Sequence, residues 1–397
     1  MRSVCDRVAG DRMTMAAPDV TNAFAPVRRL FAEYLDAEPA YSAQLAVFHH
    51  GEAVVELAGG PALDTESLTG VYSVSKGAAA LVIASLLDRG ALDLDRRVAT
   101  YWPEFAARGK DDVTVGDLLS HRAGLAALSP GTFAFEEFLE RSELGAARLA
   151  AQAPLWVPGS AFGYHALTIG ILMEELVRRT TGRTLQEEYE ETIRGPRDAD
   201  FYLGMPEDLD GRYVPLAPPV LTAEQEREVA GRPPQDALAE TVFSNVDARD
   251  DLTDHGISSN NPRVRRAGPA AIGGVGSARG LARLYADALP GAARPIASPE
   301  VFRAMAIQRS WGHDRVLDVT NSFGAVFLLP QPRMPYASLG AFGHDGAAGA
   351  LAFADPATGI SFGYIPWPRQ HPGGADHRSV ALARLARTCA IEAERAA

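Results

Sequence analysis

Lysine is the scarcest charged residue in this sequence. Of the 38 lysines and arginines, only Lys76 and Lys110 are lysines, so the other 36 are arginines. An arginine guanidinium stays protonated in proteins, whereas a buried lysine amine can lose its proton and act as a base. We therefore interpret Lys76 as a lysine retained for proton transfer. Lys110 stands in a short charged stretch, residues 108–112, and is predicted to be a solvated loop residue.

Cysteine is equally scarce. The chain has only Cys5 and Cys389, which stand near opposite ends of its 397 residues. They therefore lack the spacing of a disulfide framework, a zinc site or a redox motif, and both are expected to be free thiols. No cluster of metal-ligating residues stands out in the sequence. We predict neither a metal nor another cofactor.

Long apolar runs and an excess of positive charge are also missing. No segment approaches the roughly 20 residues of a transmembrane helix, and the N-terminus lacks the apolar core of a secretory signal. The formal net charge of −12 disfavours nucleic acid and anionic membranes as partners, because both attract basic surfaces. We expect a cytoplasmic protein, and the sequence does not indicate its oligomeric state. Residues 1–18 are predicted to be a flexible tail, with Met13 or Met15 as alternative starts.

Strand patterns occur near both ends of the chain. Hydrophobic residues make up 47% of the sequence, which is enough for a large buried core. Apolar alternation on either side of a His50-Gly51 turn predicts a β-hairpin over 41–58. Further strand-like runs follow at 322–329, 348–354 and 359–365, before a predicted helix over 378–396.

Helical patterns dominate between these ends. An apolar helix is predicted from Ser73 to a glycine stop at Gly90. Residues 215–269 are rich in proline and charge, which predicts an irregular, lid-like segment. We therefore predict an α+β fold, in which a mixed and mainly antiparallel sheet is flanked by helices and carries an inserted, mostly helical lobe. The predicted division is a sheet domain formed by 19–97 and 270–397 and a helical lobe over 98–269.

Ser73 and Lys76 are spaced for nucleophilic chemistry at the start of the predicted helix. Three residues apart, their side chains share one helix face, where an amine whose pKa is lowered by burial can accept the serine proton. The helix start also offers free backbone N–H groups and the positive end of the helix dipole. A serine three residues before a lysine is common in ordinary helices, so the alternative is a solvated pair without function.

Four motifs then follow in the order of a known superfamily. Tyr72-Ser73-Val74-Ser75-Lys76 resembles the active-site motif of the serine β-lactamases and penicillin-binding proteins. Residues 113–125 are similar to the segment that follows their nucleophile helix. Residues 158–166 match the place of their catalytic tyrosine, and 342–347 match their lysine-threonine-glycine strand. The resemblance covers most of the chain and implies an α/β sandwich of the β-lactamase type.

Two departures favour one branch of this superfamily. Ala166 replaces the asparagine that ends the tyrosine motif of β-lactamases, and His344-Asp345 replaces the lysine and threonine of the third motif. Those groups help β-lactamases to hold the carboxylate and amide of their substrates. A histidine at this position resembles the family VIII carboxylesterases, which keep the serine, lysine and tyrosine and act on simple esters. The resemblance therefore implies a carboxylesterase for small or medium-sized esters.

The resemblance implies a role for each matched residue. Ser73 is the expected nucleophile, and Lys76 and Tyr164 are its expected proton-transfer pair. Tyr164 serves as a phenolate only if a nearby cation lowers its pKa, for which Lys76 is the candidate; the sequence leaves open which of the two is the general base. The backbone N–H groups of Ser73 and Ala347 are the implied oxyanion hole.

Other residues are candidates for contact with the substrate. His344 and Gly346 lie in the motif that replaces the lysine-threonine-glycine strand, and Trp156 and Trp367 are candidates for an acyl or alcohol pocket. Each has a simpler alternative, because a histidine at a strand end often only bridges hydrogen bonds and a tryptophan near a cleft is more often a packing residue. The histidines expected to be structural are His121 and His165.

A second serine motif is typical of a different hydrolase fold. Gly359-Ile360-Ser361-Phe362-Gly363 matches the GxSxG pattern, in which the serine lies on a sharp strand-to-helix turn. Here the apolar residues alternate as in a strand and no helix follows directly. Ser361 is therefore predicted to be an ordinary strand residue.

The same site residues are compatible with other functions. An acyltransferase would use a second alcohol or amine in place of the deacylating water, and a β-lactam or amide hydrolase would use the same nucleophile. A ligand-binding homologue would keep the fold without turnover, but the joint retention of serine, lysine and tyrosine argues against it. The sequence favours hydrolysis of a small-molecule ester through an acyl-enzyme, without a cofactor.

Overall fold

A computed structural model describes residues 13–15, 22–129, 133–232, 236–244 and 252–396. Cys5 and most of the predicted tail lie outside these residues. The strands are β1 (Met13–Met15), β2 (Ser42–His49), β3 (Glu52–Gly59), β4 (Thr69–Gly70), β5 (Phe201–Leu203), β6 (Gly274–Gly276), β7 (Ser310–Asp314), β8 (Val319–Phe323), β9 (Phe342–Asp345), β10 (Leu351–Asp355) and β11 (Ile360–Trp367).

The helices lie mainly in the middle of the chain. Within the described ranges, none is both long and apolar enough to cross a membrane. The α-helices are α1 (Ala25–Ala37), α2 (Val74–Asp88), α3 (Val115–Leu119), α4 (Phe135–Glu140), α5 (Ser142–Ala151), α6 (Thr168–Thr181), α7 (Leu185–Tyr189), α8 (Gly195–Arg197), α9 (Ala223–Ala230), α10 (Ala237–Phe243), α11 (Pro262–Ala267), α12 (Ala278–Ala286), α13 (Pro299–Met305) and α14 (His377–Ala396).

The largest sheet joins the two ends of the chain. Its strand order is β1-β3-β2-β11-β10-β9, and all neighbouring strands are antiparallel. The predicted hairpin is its β2–β3 pair, in which His49 pairs with Glu52 and the turn residues His50 and Gly51 both have positive φ. Helix α12 packs on this sheet against β2, β10 and β11. The α+β prediction is confirmed, and the proposed division into two domains stays a prediction.

Helix α2 runs through the interior of the molecule. All residues from Val74 to Leu86 are buried, and the helix packs against β9, α6 and α13. A helix that is apolar on every side belongs in a core, and the small residues 77–80 let its neighbours approach closely. At Gly77, an added Cβ would lie 2.1 Å from the Tyr285 hydroxyl oxygen. The first turn of α2, including Lys76, is therefore removed from water.

A small sheet fixes the chain immediately before α2. Its strand order is β4-β6-β5. The N–H of Val71 donates to the carbonyl of Gly274 over 3.2 Å, and the N–H of Gly274 donates to Ser75 Oγ over 2.8 Å. These bonds hold both sides of Ser73, so the serine stands on an anchored strand-to-helix turn.

Two predictions about local structure are wrong in part. Residues 215–269, predicted to be irregular, contain the short helices α9, α10 and α11, whose N-termini are capped by the side chains of Thr222, Asp236 and Asn261. The other described residues of this segment are irregular, as predicted. The strand predicted over 322–329 ends at Phe323, because the chain turns at Gly324 and Val326 has a left-handed φ of 68°.

Lys110 is also placed differently from the prediction. Its side chain is fully buried rather than solvated. The amine donates to the carbonyl of Ala107 over 2.6 Å and to the carbonyl of Gln152 over 2.5 Å, and these bonds replace the hydration that the charge loses on burial. Both lysines of this chain are therefore interior residues.

Two other predictions hold. Cys389 is a free, buried thiol. Ser361 lies within β11, where its hydroxyl is buried and donates to the carbonyl of Ala282 over 2.7 Å. The GxSxG match is therefore part of a strand and not a nucleophile turn.

Candidate active site

The predicted nucleophile stands on a strained turn. Ser73 is the N-terminal cap of α2, and Tyr72 before it has a left-handed φ of 48°, a conformation that costs a non-glycine residue about 1–3 kcal/mol. Neighbouring side chains hold Tyr72 in place. It packs with Leu216 and Ala348, and its hydroxyl accepts a 2.8 Å hydrogen bond from Arg369 Nη1. The surrounding structure thus fixes the direction in which Ser73 points.

The structure brings the three predicted catalytic residues together. Ser73 Oγ lies 2.9 Å from Lys76 Nζ and 2.8 Å from the Tyr164 hydroxyl oxygen. Lys76 Nζ also donates to the carbonyl of Ala271 over 2.8 Å and lies 5.0 Å from the centre of the Tyr164 ring. One serine oxygen therefore meets two groups that can exchange a proton with it.

Burial acts in opposite directions on the two proton-transfer groups. Removal from water lowers the pKa of Lys76 to about 7, although the Asp345 carboxylate opposes this shift. Burial raises the pKa of Tyr164, which the hydrogen bond with Ser73 only partly offsets. Near neutral pH the amine is therefore neutral in a large fraction of molecules, while the phenol keeps its proton. These opposite shifts favour Lys76 over Tyr164 as the group that accepts the serine proton, and a Tyr164 phenolate stays a prediction.

The carbonyl that holds Lys76 is itself fixed by α6. Glu174 Oε1 accepts a 3.0 Å hydrogen bond from the N–H of Ala270, next to Ala271 in the chain. Helix α6 also lies very close to the loop that contains Ala271, since a Cβ at Gly170 would lie 2.7 Å from the Ala271 nitrogen. Sequence reasoning missed this support, because neither residue belongs to a recognisable motif.

The β7–β8 hairpin contacts Tyr164 and fixes its position. Its N–H donates to Asp314 Oδ1 over 2.9 Å, and its ring stacks on Phe323 with centroids 6.0 Å apart. The buried Asp314 carboxylate also accepts from Asn321 Nδ2 over 3.0 Å. Because Asp314 follows Tyr164 by 150 residues, no local pattern could reveal this contact.

The N–H groups predicted to form the oxyanion hole lie where β9 meets the Ser73 turn. A Cβ at Gly346 would lie 2.1 Å from the Val71 carbonyl oxygen, so only glycine permits this approach. The next residue, Ala347, is exposed. Within the described part of the chain, the N–H groups of Ser73 and Ala347 donate no hydrogen bond, and both stay predicted donors to an oxyanion.

His344 lies beside the proton-transfer pair but is closed off from solvent. Its ring centre is 6.2 Å from that of Tyr164, and its side chain is 1% exposed. His344 Nδ1 lies 2.7 Å from the carbonyl oxygen of Asp345, whereas Nε2 has no hydrogen-bond partner among the described residues. Direct contact between His344 and a substrate stays a prediction.

The two candidate tryptophans are in different places. Trp156 is buried near the tyrosine segment, and its indole N–H donates to the carbonyl of Arg122 over 3.3 Å. Trp367 lies at the end of β11, where its indole N–H donates to the carbonyl of Pro215 over 2.8 Å. Both N–H groups are thus used within the chain, and a contact of either ring with substrate stays a prediction.

The neighbouring histidines are held by the backbone. His165 Nδ1 lies 2.6 Å from the carbonyl oxygen of Gly163, and its Nε2 accepts from the N–H of Leu125 over 3.0 Å. His121 Nδ1 accepts from the N–H of His165 over 3.1 Å. Burial lowers the pKa of His165 to about 4 and that of His121 well below its usual value. Both rings are therefore neutral at neutral pH, which fits the expected structural role.

The fold is α+β, and its buried helix begins at a serine in contact with a lysine and a tyrosine. This is the arrangement of the serine β-lactamase and penicillin-binding protein superfamily. The protein is therefore a serine hydrolase. A family model described as Beta-lactamase matches residues 27–383, so the chain belongs to that family.

The chain is similar to three further proteins, two of which are named as esterases. Esterase/beta-lactamase LipL of Mycobacterium tuberculosis is 32% identical over 363 residues, which cover 86% of this chain and 80% of LipL. The structure of EstA from Arthrobacter nitroguajacolicus Rue61a is 43% identical with a TM-score of 0.85, covering 95% of this chain and 99% of EstA. The crystal structure of a family VIII carboxylesterase is 32% identical with a TM-score of 0.82, covering 94% and 99% of the two chains.

Proposed function

We propose that the protein hydrolyses carboxylic esters through an acyl-enzyme on Ser73. The observation that carries this proposal is the position of Ser73 Oγ, which lies 2.9 Å from Lys76 Nζ and 2.8 Å from the Tyr164 hydroxyl oxygen. A serine hydroxyl becomes an effective nucleophile only when an adjacent group takes its proton. In this site one neighbour has the pKa of a base near neutral pH and the other keeps a proton to give.

Lys76 is the general base of the proposed acylation step. In its neutral form the amine accepts the Ser73 proton while one of its own N–H bonds stays directed at the carbonyl of Ala271. Ser73 Oγ then bonds to the ester carbonyl carbon, and the carbonyl oxygen takes the negative charge beside the N–H groups of Ser73 and Ala347. The hydrogen bond to Ala271 orients the lone pair of the amine towards the serine.

Tyr164 is the proton donor to the leaving alcohol. When the ester C–O bond breaks, the departing oxygen takes the phenol proton, and the proton held by Lys76 restores the phenol. The transient negative charge on Tyr164 is balanced by the Lys76 ammonium, which lies 5.0 Å from the ring centre. This division of roles follows from the opposite pKa shifts of the two groups.

Water completes the proposed cycle. It takes the place of the alcohol, loses a proton to the same pair and attacks the acyl carbon. Breaking the bond to Ser73 Oγ releases the carboxylic acid, and Ser73 regains its proton from Lys76. The reaction needs no redox step and leaves every group of the site in its starting form.

The residues at the third motif support esters rather than β-lactams as substrates. A buried His344 that interacts with the backbone of Asp345 offers no exposed cation to a substrate carboxylate, which the lysine of the usual motif would provide. The names of LipL and the family VIII carboxylesterase also refer to esterases. LipL carries the β-lactamase name as well, so β-lactam hydrolysis is the second candidate function.

A panel of p-nitrophenyl esters, from acetate to octanoate, tests the proposal alongside a chromogenic cephalosporin. We expect turnover of short or medium esters, and Ser73→Ala is expected to lower kcat by about 10⁴ or more. Ser361→Ala is the matched control, because it removes the serine of the other hydrolase motif and should keep wild-type turnover. Full esterase activity in Ser73→Ala, or a cephalosporin as the best substrate, would contradict the proposal. An added acceptor alcohol distinguishes acyl transfer from hydrolysis by its ester product.

A further inference from the structure

A cluster of two histidines and one glutamate lies outside the candidate active site. It contains His49 at the end of β2, His50 in the following turn and Glu394 in the last turns of α14. Glu394 Oε1 lies 3.2 Å from His50 Nε2 and 3.8 Å from His49 Nε2. Within the described ranges, this is the group of three histidine, cysteine or acidic side chains whose ligand atoms lie close enough together to hold one metal ion.

The backbone turns two consecutive histidines to the same side. Successive side chains of a strand point to opposite faces, but the left-handed φ of 50° at His50 breaks this alternation, and the two ring centres are 4.2 Å apart. Gly359 makes room for the His50 ring, because a Cβ there would lie 2.4 Å from His50 Cε1. In a regular strand the two imidazoles would point to opposite faces. Here both face the Glu394 carboxylate.

The second observation is the environment of His49 Nε2. The atom is closed off from solvent and has no hydrogen-bond partner among the described residues. Its distance of 3.8 Å from Glu394 Oε1 is too long for a hydrogen bond. Buried nitrogen atoms of this kind are normally paired, so an unpaired one that faces a carboxylate indicates a group that bridges the two atoms.

The separations are close to those around a single ion. Zinc is usually tetrahedral and binds imidazole nitrogen and carboxylate oxygen at about 2.0–2.2 Å, so two of its ligand atoms lie about 3.3–3.6 Å apart. The distances of 3.2 and 3.8 Å from Glu394 Oε1 to the two histidine nitrogens bracket this range, and all three ligand atoms lie within 4.8 Å of one another. Two imidazoles and a carboxylate form a ligand set that suits zinc and its chemical neighbours nickel and copper.

We propose that His49, His50 and Glu394 bind one divalent cation of the zinc class. His50 and Glu394 are partly exposed, which gives the ion a path from solvent and leaves a coordination position for water. The sequence did not predict this site, because Glu394 follows His50 by 344 residues. The bound ion ties the end of α14 to the β2–β3 turn, so its expected effect is on stability and not on ester hydrolysis.

Calorimetric titration of the untagged, chelator-treated protein with ZnCl₂ tests this site, together with thermal unfolding with and without Zn²⁺. The variants are His50→Ala and Glu394→Gln, which change exposed groups and should unfold like the wild type without metal. His313→Ala is the matched control, because His313 also lies beside a carboxylate, 3.7 Å from Asp318, but has no second histidine.

We expect one high-affinity Zn²⁺ per wild-type chain and a rise in the unfolding temperature when the ion is in excess. Each of the two ligand variants should weaken binding by about tenfold or more and lose the rise, while His313→Ala keeps both. A wild-type protein that neither binds Zn²⁺ nor gains stability from it would overturn the proposal. Equal Zn²⁺ affinity of the wild type and His50→Ala would do the same, since the binding would then lie elsewhere.

Discussion

The Tyr164 hydroxyl donates a 2.8 Å hydrogen bond to Ser73 Oγ across 91 residues of sequence. The donor is a phenol whose pKa is raised by burial, and the acceptor also lies 2.9 Å from an amine whose pKa is lowered by burial. The same loss of hydration therefore prepares one neighbour of the serine to give a proton and the other to take one.

Tyr164→Phe should slow the release of poor leaving groups most strongly. The substitution keeps the ring that stacks on Phe323 and removes only the proton donor. Loss of a positioned general acid typically costs about 10²–10⁴ in kcat. We expect a loss in this range for alkyl esters and a clearly smaller one for p-nitrophenyl esters, whose alcohol leaves without protonation. Equal losses for both ester types, measured as kcat, would remove Tyr164 from the acid role.

Lys76→Arg should abolish most turnover although it keeps the positive charge. A guanidinium has no accessible neutral form, so it cannot accept the serine proton. We expect kcat to fall by about 10² or more, in the range of general-base catalysis. Lys110→Arg is the matched control, because Lys110 is also buried but bonds only to backbone carbonyls. If both variants fold and Lys76→Arg turns over like Lys110→Arg, proton transfer is not the function of Lys76.

The pH profile should show the Lys76 amine directly. Activity requires its neutral form, so kcat/KM is expected to fall below a pH of about 7, where the amine becomes protonated. The Asp345 carboxylate raises the pKa of Lys76. Asp345→Asn should therefore move the acid limb of the profile to lower pH, while the asparagine oxygen can still accept from the N–H of Ala375. An acid limb that stays in place or moves upward would contradict this assignment.

Glu174 is expected to act as a positioning residue for Lys76. The variant Glu174→Ala removes the carboxylate that accepts from the N–H of Ala270. The loop is then free to move, and with it the carbonyl of Ala271, which accepts from the Lys76 amine. Misplacement by about 1 Å can cost about 10²-fold in rate, so we expect a loss of about 10- to 100-fold in kcat.

The acid limb of the pH profile should also move to lower pH. The displaced Ala271 carbonyl no longer accepts from the Lys76 ammonium, so the pKa of Lys76 falls. Glu175→Ala serves as the control. Glu175 is the next residue of α6 and bonds to Arg178 and Arg179 instead of the loop. If Glu174→Ala and Glu175→Ala have the same pH profile as the wild type, Glu174 supports only the fold.

Local patterns predicted much of the fold. The β2–β3 hairpin and α2 were predictable because their apolar periodicity and their turn residues agree. The helices α9–α11 were missed because proline and charge outweighed short capping signals, such as Thr222 followed by Gln225. These signals stabilise a helix start within a few residues, so composition over a longer window hides them.

The site residues were predictable only where they belong to sequence motifs that follow one another in the order of the superfamily. Ser73, Lys76 and Tyr164 lie in such motifs, and the structure places them in contact. Contacts between distant parts of the chain could not be predicted. Asp314 reaches the backbone of Tyr164 across 150 residues. Similarly, the buried Lys110 amine donates a hydrogen bond to the carbonyl of Gln152, 42 residues away.

The most direct test of the proposed mechanism is to locate the covalent bond. The protein is treated with a fluorophosphonate, digested and analysed by mass spectrometry, and the loss of p-nitrophenyl butyrate hydrolysis is followed in parallel. We predict one phosphonyl group per inactivated chain, located on Ser73 and absent from the Ser73→Ala variant. A label on Ser361 or another residue that tracks the loss of activity, or hydrolysis that persists after Ser73 is fully labelled, would contradict the proposed mechanism.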